Sequence, residues 1–305
     1  MKAPRVSVVI ATYGREEVLC NTLRQVTGED YPNFEVIVVD QTVQHEAETE
    51  RCLAELGGKI RYIKLPKPNL TGAENVGIRE ASGEIVLFLD DDVRFEPGLI
   101  AAHAANYEEA DVVGVAGMVT HDDRPPTRRL PWICTFSKAG WFFFIHHYNR
   151  RVQVRAALGA NMSFRREALL AVGGLDESLT ENAVQWEIDL CSRVLARSGK
   201  MVHDPKARAH HLRAGRGGAR MSRTLPRSFF ANYIRVLWRH VPRHERWAIL
   251  WRMLRDHVLI GSGGCPWTMA IMLKRMTSEL VKVVRNGPGE AVPGSAGEGG
   301  GAGGD

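Results

Sequence analysis

Short apolar runs alternate with amphipathic segments over the first 120 residues of the chain. The runs are rich in β-branched residues, as buried strands are, and they span 6–11, 34–39, 60–65, 85–89 and 112–118. The segments between them carry apolar residues at helical spacing over 16–26, 45–56, 71–81 and 97–109. This alternation predicts an α/β fold with a mostly parallel central sheet that helices cover on both faces.

The pattern changes beyond residue 120. Residues 121–155 are rich in Pro, Arg and aromatic residues, which fits either a flap that faces an acceptor or a structural arm packed over the sheet. A helix is predicted over 181–197 and a strand over 201–204. We predict three parts: an α/β domain over 1–223, a helical region over 224–285, and a disordered Gly-rich tail over 286–305.

Composition narrows the class of protein. The 305 residues suffice for a sizeable core, and no apolar run reaches the roughly 18 residues of a spanning helix. Five scattered cysteines, none spaced Cys-x-x-Cys, suggest neither a disulfide framework nor a zinc site. We expect a cytoplasmic protein, either soluble or peripheral at the cytoplasmic face of the membrane.

Charge is distributed unevenly along the chain. Residues 206–285 hold 17 Lys and Arg against three acids, a balance of +14, whereas the whole chain carries +5. Basic density with interleaved aromatic residues is typical of proteins that bind anionic lipid, phosphorylated substrates or nucleic acid. We expect an anionic membrane surface as partner and do not expect nucleic acid. Ordinary packing helices remain the alternative.

The apolar run 85–89 ends in three consecutive carboxylates, Asp90, Asp91 and Asp92. Two like charges about 4 Å apart repel by roughly 4 kcal/mol at an effective dielectric near 20, so the cluster favours a bound cation. Oxygen ligands suit Mg²⁺ or Mn²⁺, which complete their shells with water and substrate phosphates. A solvated turn is the alternative. In a parallel sheet Asp40, which follows the second strand, would line the same crevice.

Two further acids lie on the helix predicted over 181–197. Glu187 and Asp189 are two residues apart and therefore do not share a face. Arg193, four residues after Asp189, predicts an internal ion pair for that carboxylate, which leaves Glu187 free to act as a base. A solvated surface residue is the alternative for Glu187.

These motifs, in this order, resemble those of glycosyltransferase family 2, which has the GT-A fold. The resemblance covers roughly residues 5–215. The matching segments are 6–13, 36–40, 72–78, 90–92 (the DXD motif), 159–166 and 186–190.

The resemblance implies a nucleotide-sugar transferase and assigns roles to individual residues. It places the nucleotide sugar against Thr12, Tyr13, Asp40, Asn75, Asp90 and Asp91, with Asp40 at the base and Asp90 or Asp91 at the ribose. Asp92 would bind the metal, Mg²⁺ or Mn²⁺, and Glu187 would be the catalytic carboxylate. Trp186 and Glu74 stand where the family usually has a second acid and an Arg.

The chemistry of sugar transfer calls for the same groups. A divalent ion offsets charge on the departing diphosphate, and one carboxylate takes the proton of the acceptor hydroxyl. A single base implies a single displacement and hence inversion at the anomeric carbon, with a glycan, lipid-linked or other hydroxyl acceptor. His210 and His211, which follow the strand predicted over 201–204, could add a contact to the metal or the diphosphate, because imidazole is a common metal ligand. The family often has a His here, and His211 fits its pattern better than His210, so the resemblance makes His211 the second candidate metal ligand beside Asp92. A surface pair of histidines remains the alternative.

The segment 215–220 is rich in Gly and Arg, which predicts either a basic lid over the diphosphate or a plain linker. Two other classes remain open: a GT-A-like scaffold that has lost catalysis and binds a membrane or an anionic polymer, and a nucleotidyltransferase of related architecture. The segment 11–15 fits the transferase pattern better than the Gly-rich signature of a nucleotidyltransferase.

Overall fold

The computed structural model of the chain describes residues 3–122, 126, 146–179, 181, 183–218, 228–260 and 266–289. Its strands are β1 (Val6–Thr12), β2 (Phe34–Asp40), β3 (Ile60–Lys64), β4 (Ile85–Leu89), β5 (Val93–Phe95), β6 (Val112–Thr120), β7 (Val152–Val154), β8 (Asn161–Arg165) and β9 (Lys200–His211). Its α-helices are α1 (Glu17–Thr27), α2 (Ala47–Leu56), α3 (Leu70–Glu80), α4 (Leu99–Ala105), α5 (Arg166–Ala171), α6 (Trp186–Leu195), α7 (Phe229–His240), α8 (Arg243–Met253) and α9 (Pro266–Asn286). A 3₁₀ turn, Asn106–Glu108, follows α4, and a π-helical segment, Leu254–Ile260, follows α8.

The strands form one mixed sheet in the order β3-β2-β1-β4-β8-β6-β9-β5, with β7 beside β9. The first four strands are parallel, as predicted, because α1, α2 and α3 provide the crossovers that parallel pairing requires. In the second half, β8 runs antiparallel to both β4 and β6, and β5 and β7 run antiparallel to β9. The strands β1 to β4 thus form a parallel half of the sheet, whereas the other half is mixed, because β6 and β9 pair in parallel there.

Alternate residues of the central strands build a core on each face of the sheet. Val8 and Leu87 belong to one core, whereas Val9 and Phe88 belong to the other. The Phe88 ring meets Trp186 edge-on, with ring centroids 6.3 Å apart, which anchors the first turn of α6 to the sheet.

The helix predicted over 181–197 is five residues shorter at its start. Glu181, Ala183 and Gln185 have φ angles of 58°, 47° and 75°, in the left-handed region that a right-handed helix excludes. The strand predicted over 201–204 is longer than expected and ends at His211, opposite Val93 of β5. This extension brings His211 to the end of the sheet where the three aspartates lie.

The C-terminal helices form a third apolar core of their own, centred on Phe230, Leu237 and Ile249. Buried ion pairs join α7 to the α/β part: Arg239 Nη1 lies 2.5 Å from Asp176 Oδ2 and 3.3 Å from Asp189 Oδ1. In the part of the chain that the structure describes, no helix combines the length and hydrophobicity that crossing a bilayer would need.

Some predictions concern residues outside the described part. These are most of the segment 121–155 with its aromatic run, residues 219 and 220 of the predicted lid, and the tail from residue 290 onward. The division of the chain into three parts stays a prediction.

Candidate active site

Two aspartates and a histidine form a group that could hold a metal ion. The ligand atoms of Asp90, Asp92 and His211 all lie within 4.8 Å of one another. His211 Nε2 is 3.1 Å from Asp92 Oδ1 and 3.5 Å from Asp90 Oδ2. The group exists because antiparallel pairing of β5 with β9 sets His211 beside the turn that follows β4.

This donor set fits a divalent ion with a preference for oxygen ligands. Two carboxylate oxygens and one imidazole nitrogen suit Mg²⁺ or Mn²⁺ when water and phosphate complete the shell. His210, in contrast, turns to the other side of β9, where it contacts Thr120 Oγ1 at 3.1 Å and Asp122 Oδ1 at 3.1 Å. The geometry thus distinguishes His211 from its neighbour.

Asp92 is buried yet held in its charged form. Burial by itself would raise its pKa, but the hydrogen bond and charge of His211, the charge of Arg15 and the backbone N–H of Ala214 together keep the pKa below its usual value. Arg15 Nη2 lies 3.0 Å from Asp92 Oδ2, and the Ala214 N–H donates to the same oxygen at 2.8 Å. An ionised carboxylate is the form that binds a cation.

Asp91 is buried and faces β1. It accepts a hydrogen bond from Thr12 Oγ1 at 2.7 Å and pairs with Arg15 Nε at 3.2 Å. Burial raises the pKa of Asp91 to about 7, against the lowering effect of Arg15 and Thr12. Thr12 and Asp91, both predicted to bind nucleotide, are therefore partners of each other.

Arg15 connects these carboxylates to the loop after β9, a role that sequence reasoning missed. Its side chain is buried and contacts Asp91 and Asp92, and its Nη1 donates to the carbonyl oxygen of Ala214 at 2.9 Å. The sequence did contain a signal for this role of Arg15. It is a cationic residue shortly after β1, and the neighbouring strand of the sheet, β4, is followed by three acids.

The glycines of the predicted lid pack against the turn after β1. The N–H of Gly218 donates to the carbonyl oxygen of Tyr13 at 2.6 Å. Gly217 has φ +72°, and a Cβ there would lie 2.0 Å from the carbonyl oxygen of Gly14. Only glycine allows this backbone approach, so the segment 214–218, here called the docked loop, depends on its composition.

Asp40 ends β2 directly beside Thr12 of β1. Its buried carboxylate accepts hydrogen bonds from Lys64 Nζ at 2.8 Å, from the Thr42 N–H at 2.7 Å and from the Tyr62 hydroxyl. Burial would raise the pKa of Asp40, but these donors outweigh it and lower the pKa to about 2. Asp40 is thus ionised and well ordered at the edge of the crevice.

Asn75 does not join the acidic group. Its Nδ2 donates to the carbonyl oxygen of Leu175 at 2.9 Å, and its Oδ1 accepts the Leu175 N–H at 2.8 Å. These bonds fix the segment before α6 to α3. Gly174 at φ +72° is needed here, since a Cβ would lie 2.3 Å from Asn75 Oδ1.

Glu187 lies in the first turn of α6 and is partly buried. Burial raises its pKa to about 7, and the charge of Asp90 adds to this increase, while its own N–H and that of Gly159 bind the carboxylate and oppose it. Gly159 is required, because a Cβ there would lie 2.5 Å from the ring of Trp186. A carboxyl group that titrates near neutral pH is suited to proton transfer.

Asp189 has the structural role predicted for it. Its Oδ2 lies 2.8 Å from Arg193 Nε, and its Oδ1 lies 2.8 Å from His240 Nε2. Burial opposes ionisation, but His240 and Arg193 lower the pKa of Asp189 to about 2. Of the two acids on α6, only Glu187 responds to the charge of the Asp90 region.

Comparison with known proteins identifies the family of the chain. Residues 7–173 match the model of the family described as glycosyl transferase family 2. The chain belongs to this family. The predicted family resemblance is thereby confirmed, and the chain is a glycosyltransferase.

Relatives within the family include enzymes with named lipid-linked substrates. The chain is 27% identical over 221 residues to a glucosyl-dolichyl phosphate glucuronosyltransferase of Haloferax volcanii, and the aligned part covers 68% of this chain and 69% of that protein. It is 29% identical over 116 residues to the GalNAc(5)-diNAcBac-PP-undecaprenol β-1,3-glucosyltransferase of Campylobacter jejuni, and here the aligned part covers 36% of this chain and 38% of that protein.

Solved structures confirm the GT-A fold. A complex of GalNAc-T7 with UDP, GalNAc and Mn²⁺ aligns with a TM-score of 0.61 at 14% identity, over 77% of this chain and 48% of that one. The mannosyltransferase PcManGT of Pyrobaculum calidifontis, in complex with GDP-Man and Mn²⁺, aligns with a TM-score of 0.57 at 17% identity, over 94% and 77%. At these identities the likeness concerns the fold.

Proposed function

We propose that this glycosyltransferase uses a divalent ion to transfer a sugar, with inversion, from a nucleoside diphosphate donor to a hydroxyl acceptor. The observation that carries the proposal is the group formed by Asp90, Asp92 and His211 at the end of the sheet. Glu187, with its raised pKa, is not a member of that group and is the carboxyl to which we assign the role of base. The neighbours crystallised with Mn²⁺ and nucleotides support this assignment.

The residues divide the work between donor and acceptor. Asp90, Asp92 and His211 would hold Mg²⁺ or Mn²⁺, which offsets negative charge on the leaving diphosphate. Glu187 takes the proton of the acceptor hydroxyl as that oxygen attacks the anomeric carbon. With one such base the sugar is displaced in a single step, and the product has inverted configuration.

The remaining predicted residues shape the donor pocket. Thr12 ends β1 beside Asp40, where the base would bind, and Tyr13 follows it. Asp91, which pairs with Thr12, would support the ribose side of the crevice. Asn75 contributes by holding the segment at Leu175 rather than through a group of its own, since its amide is already engaged.

A donor screen with metal tests the proposal. The full chain is incubated with a panel of nucleotide sugars, with and without Mn²⁺, and nucleoside diphosphate release is measured. We expect release from one donor, dependent on Mn²⁺ and lost in Asp92→Ala, while Asp30→Ala, an exposed acid between α1 and β2, acts like the parent. The affinity for the nucleoside diphosphate is compared in the same way, with and without Mn²⁺. If the parent needs the ion to bind and Asp92→Ala binds equally with and without it, the assignment is supported. Binding by the parent that does not depend on the metal would refute the assignment.

The stereochemistry of the product provides a separate test. Proton NMR of the first product formed from an α-linked donor should show a β linkage. A retained α linkage would require a double displacement and a second carboxylate, which contradicts the role given to Glu187.

We also propose a lipid-linked acceptor, reached at an anionic membrane surface. Trp247 and Trp251 lie four residues apart on α8 and are 65% and 61% exposed, and Trp267 on α9 is 78% exposed. Exposed tryptophans beside a strongly basic segment are typical of interfacial binding, since indole rings favour the headgroup level. The two relatives named for dolichyl and undecaprenyl substrates support the same class of acceptor.

Vesicle co-sedimentation tests the membrane proposal. The parent should bind vesicles containing anionic lipid, with binding reduced by salt, because each basic residue near such a surface contributes about 1 kcal/mol. The double variant Trp247→Ala/Trp251→Ala should bind more weakly, whereas Leu170→Ala, an exposed apolar residue on α5, should not. Vesicle binding without turnover of any donor would favour the scaffold alternative.

A further inference from the structure

Glu74 is a buried acid with an oxygen that no described residue satisfies. It lies on α3, its residue is only 5% exposed, and its Oε2 makes no hydrogen bond within the described part of the chain. A buried polar atom without a partner loses its hydration with no compensating hydrogen bond, so native structures rarely keep one without a reason.

The position of Glu74 directs it at the donor crevice. Gly77, one turn later on α3, packs on β1, where a Cβ would lie 2.2 Å from Val9 Cγ1. Residues three apart share a helix face, so Glu74 lies on the same face, displaced towards the carboxyl end of β1. The charges that act on it are those of Asp90 and Asp91, which together with burial raise its pKa well above the usual value.

These surroundings select the kind of group that could complete Glu74. The neighbouring acids repel a phosphate oxygen and leave a hydrogen-bond donor as the fitting partner. In either protonation state Oε2 can accept a hydrogen bond from a hydroxyl group. The donor of the proposed reaction carries hydroxyls on its ribose and on its transferred sugar.

We infer that Glu74 is a donor-specificity residue whose Oε2 accepts a hydrogen bond from a sugar-ring hydroxyl of the bound nucleotide sugar. This inference rests on the proposed function. It concerns this chain in particular, because Glu74 stands where the resembling family usually has an Arg. The hydroxyl belongs either to the ribose or to the transferred sugar, and the experiment below separates the two.

Calorimetry on the full chain with Mn²⁺ compares parent and variants. The probes are UDP and GDP, their 2′,3′-dideoxy forms, and the nucleotide sugar that the donor screen selects. Glu74→Leu should weaken the ligand that carries the hydroxyl at least tenfold, whereas Glu74→Gln, which keeps an acceptor, should stay within about threefold of the parent. If Glu74→Leu weakens binding of the diphosphate but not of its dideoxy form, the hydroxyl belongs to the ribose. If it weakens binding of the nucleotide sugar alone, the hydroxyl belongs to the transferred sugar.

Controls keep the outcomes separable. Glu80→Gln, in the last turn of the same helix, should bind all probes as the parent does, and thermal unfolding checks that each variant is folded. Glu74→Ala, which adds no bulk, decides the comparison if the Leu variant does not fold. Unchanged affinities in the folded Leu or Ala variant overturn the inference. A parent that binds no probe overturns the proposed function instead.

Discussion

Replacing Gly217 by alanine tests whether the docked loop belongs to the donor site. Gly217 has φ +72°, and the new Cβ would lie 2.0 Å from the backbone oxygen of Gly14, which has no rotamer by which to move away. The loop must therefore shift or leave the turn after β1. Gly215→Ala is a matched control two residues away, since no atom lies within 4 Å of a Cβ there.

The size of the effect follows from what alanine costs in the docked state. The left-handed conformation costs alanine about 1–2 kcal/mol relative to glycine, and the undocked loop escapes this cost. This difference alone corresponds to a change of roughly 5- to 30-fold in the ratio of docked to undocked loop. The close contact of the new Cβ with the Gly14 oxygen adds to it, so we expect a change of at least about tenfold.

Steady-state kinetics with the selected donor measures the consequence. We expect kcat/KM to fall at least tenfold in Gly217→Ala and to remain unchanged in Gly215→Ala, because Arg15 loses its carbonyl partners when the loop leaves. Limited proteolysis should show faster cleavage within residues 214–218 only in Gly217→Ala. If Gly217→Ala is cleaved faster and yet the two variants have equal kcat/KM, the docked loop has no part in the use of the donor.

Three further predictions concern the acids of α6. Glu187→Gln should lower kcat by about 10², whereas the affinity for the donor, measured by calorimetry, should not change. Glu167→Gln, which replaces an exposed acid on α5, is the control. Normal turnover by Glu187→Gln would mean that another residue is the base. Because the pKa of Glu187 is raised to about 7 and a base acts in its deprotonated form, the parent's kcat should increase as pH rises through 7, and a flat profile between pH 6 and 8 would contradict this. The pKa of Asp189, lowered from 3.8 to about 2, contributes about 2 kcal/mol of stability above pH 4, which is lost as pH falls towards 2. Asp189→Asn should therefore lower the free energy of unfolding in urea by about 1 kcal/mol less at pH 3 than at pH 7. An equal decrease at both pH values would exclude this link between the pKa of Asp189 and stability.

The strands and the acidic triplet could be predicted because their signals are local. Alternating apolar runs determined β1, β2 and β4 nearly to the residue, and three adjacent aspartates after a buried strand are visible in any reading of the sequence. The start of α6 could not be predicted in this way. The φ angles at Ala183 and Gln185 lie in the left-handed region, so the right-handed helix begins only at Trp186 although the helical periodicity begins at residue 181.

The partners within the site could not be predicted, because they join distant parts of the chain. Arg15 meets Asp91 across 76 residues, and the same guanidinium reaches the carbonyl of Ala214 across 199. Sequence alone could not say which aspartate would face Arg15 and which would join His211. Nor does any motif record that Glu74 Oε2 has no hydrogen-bond partner among the residues that the structure describes.

The ion pairs of Arg239 bear on how this chain can be divided. If the chain ended before α7, Asp176 and Asp189 would each lose a cation that now lies beside them in a buried position. Breaking a buried pair by removing one partner typically costs about 3–5 kcal/mol, a large share of the stability of most domains. The helix that carries Glu187 would bear that loss, because Asp189 lies two residues away on it. Helix α7 thus contributes to the stability of the α/β part, and we expect a shortened form that ends before α7 to unfold more readily than the whole chain.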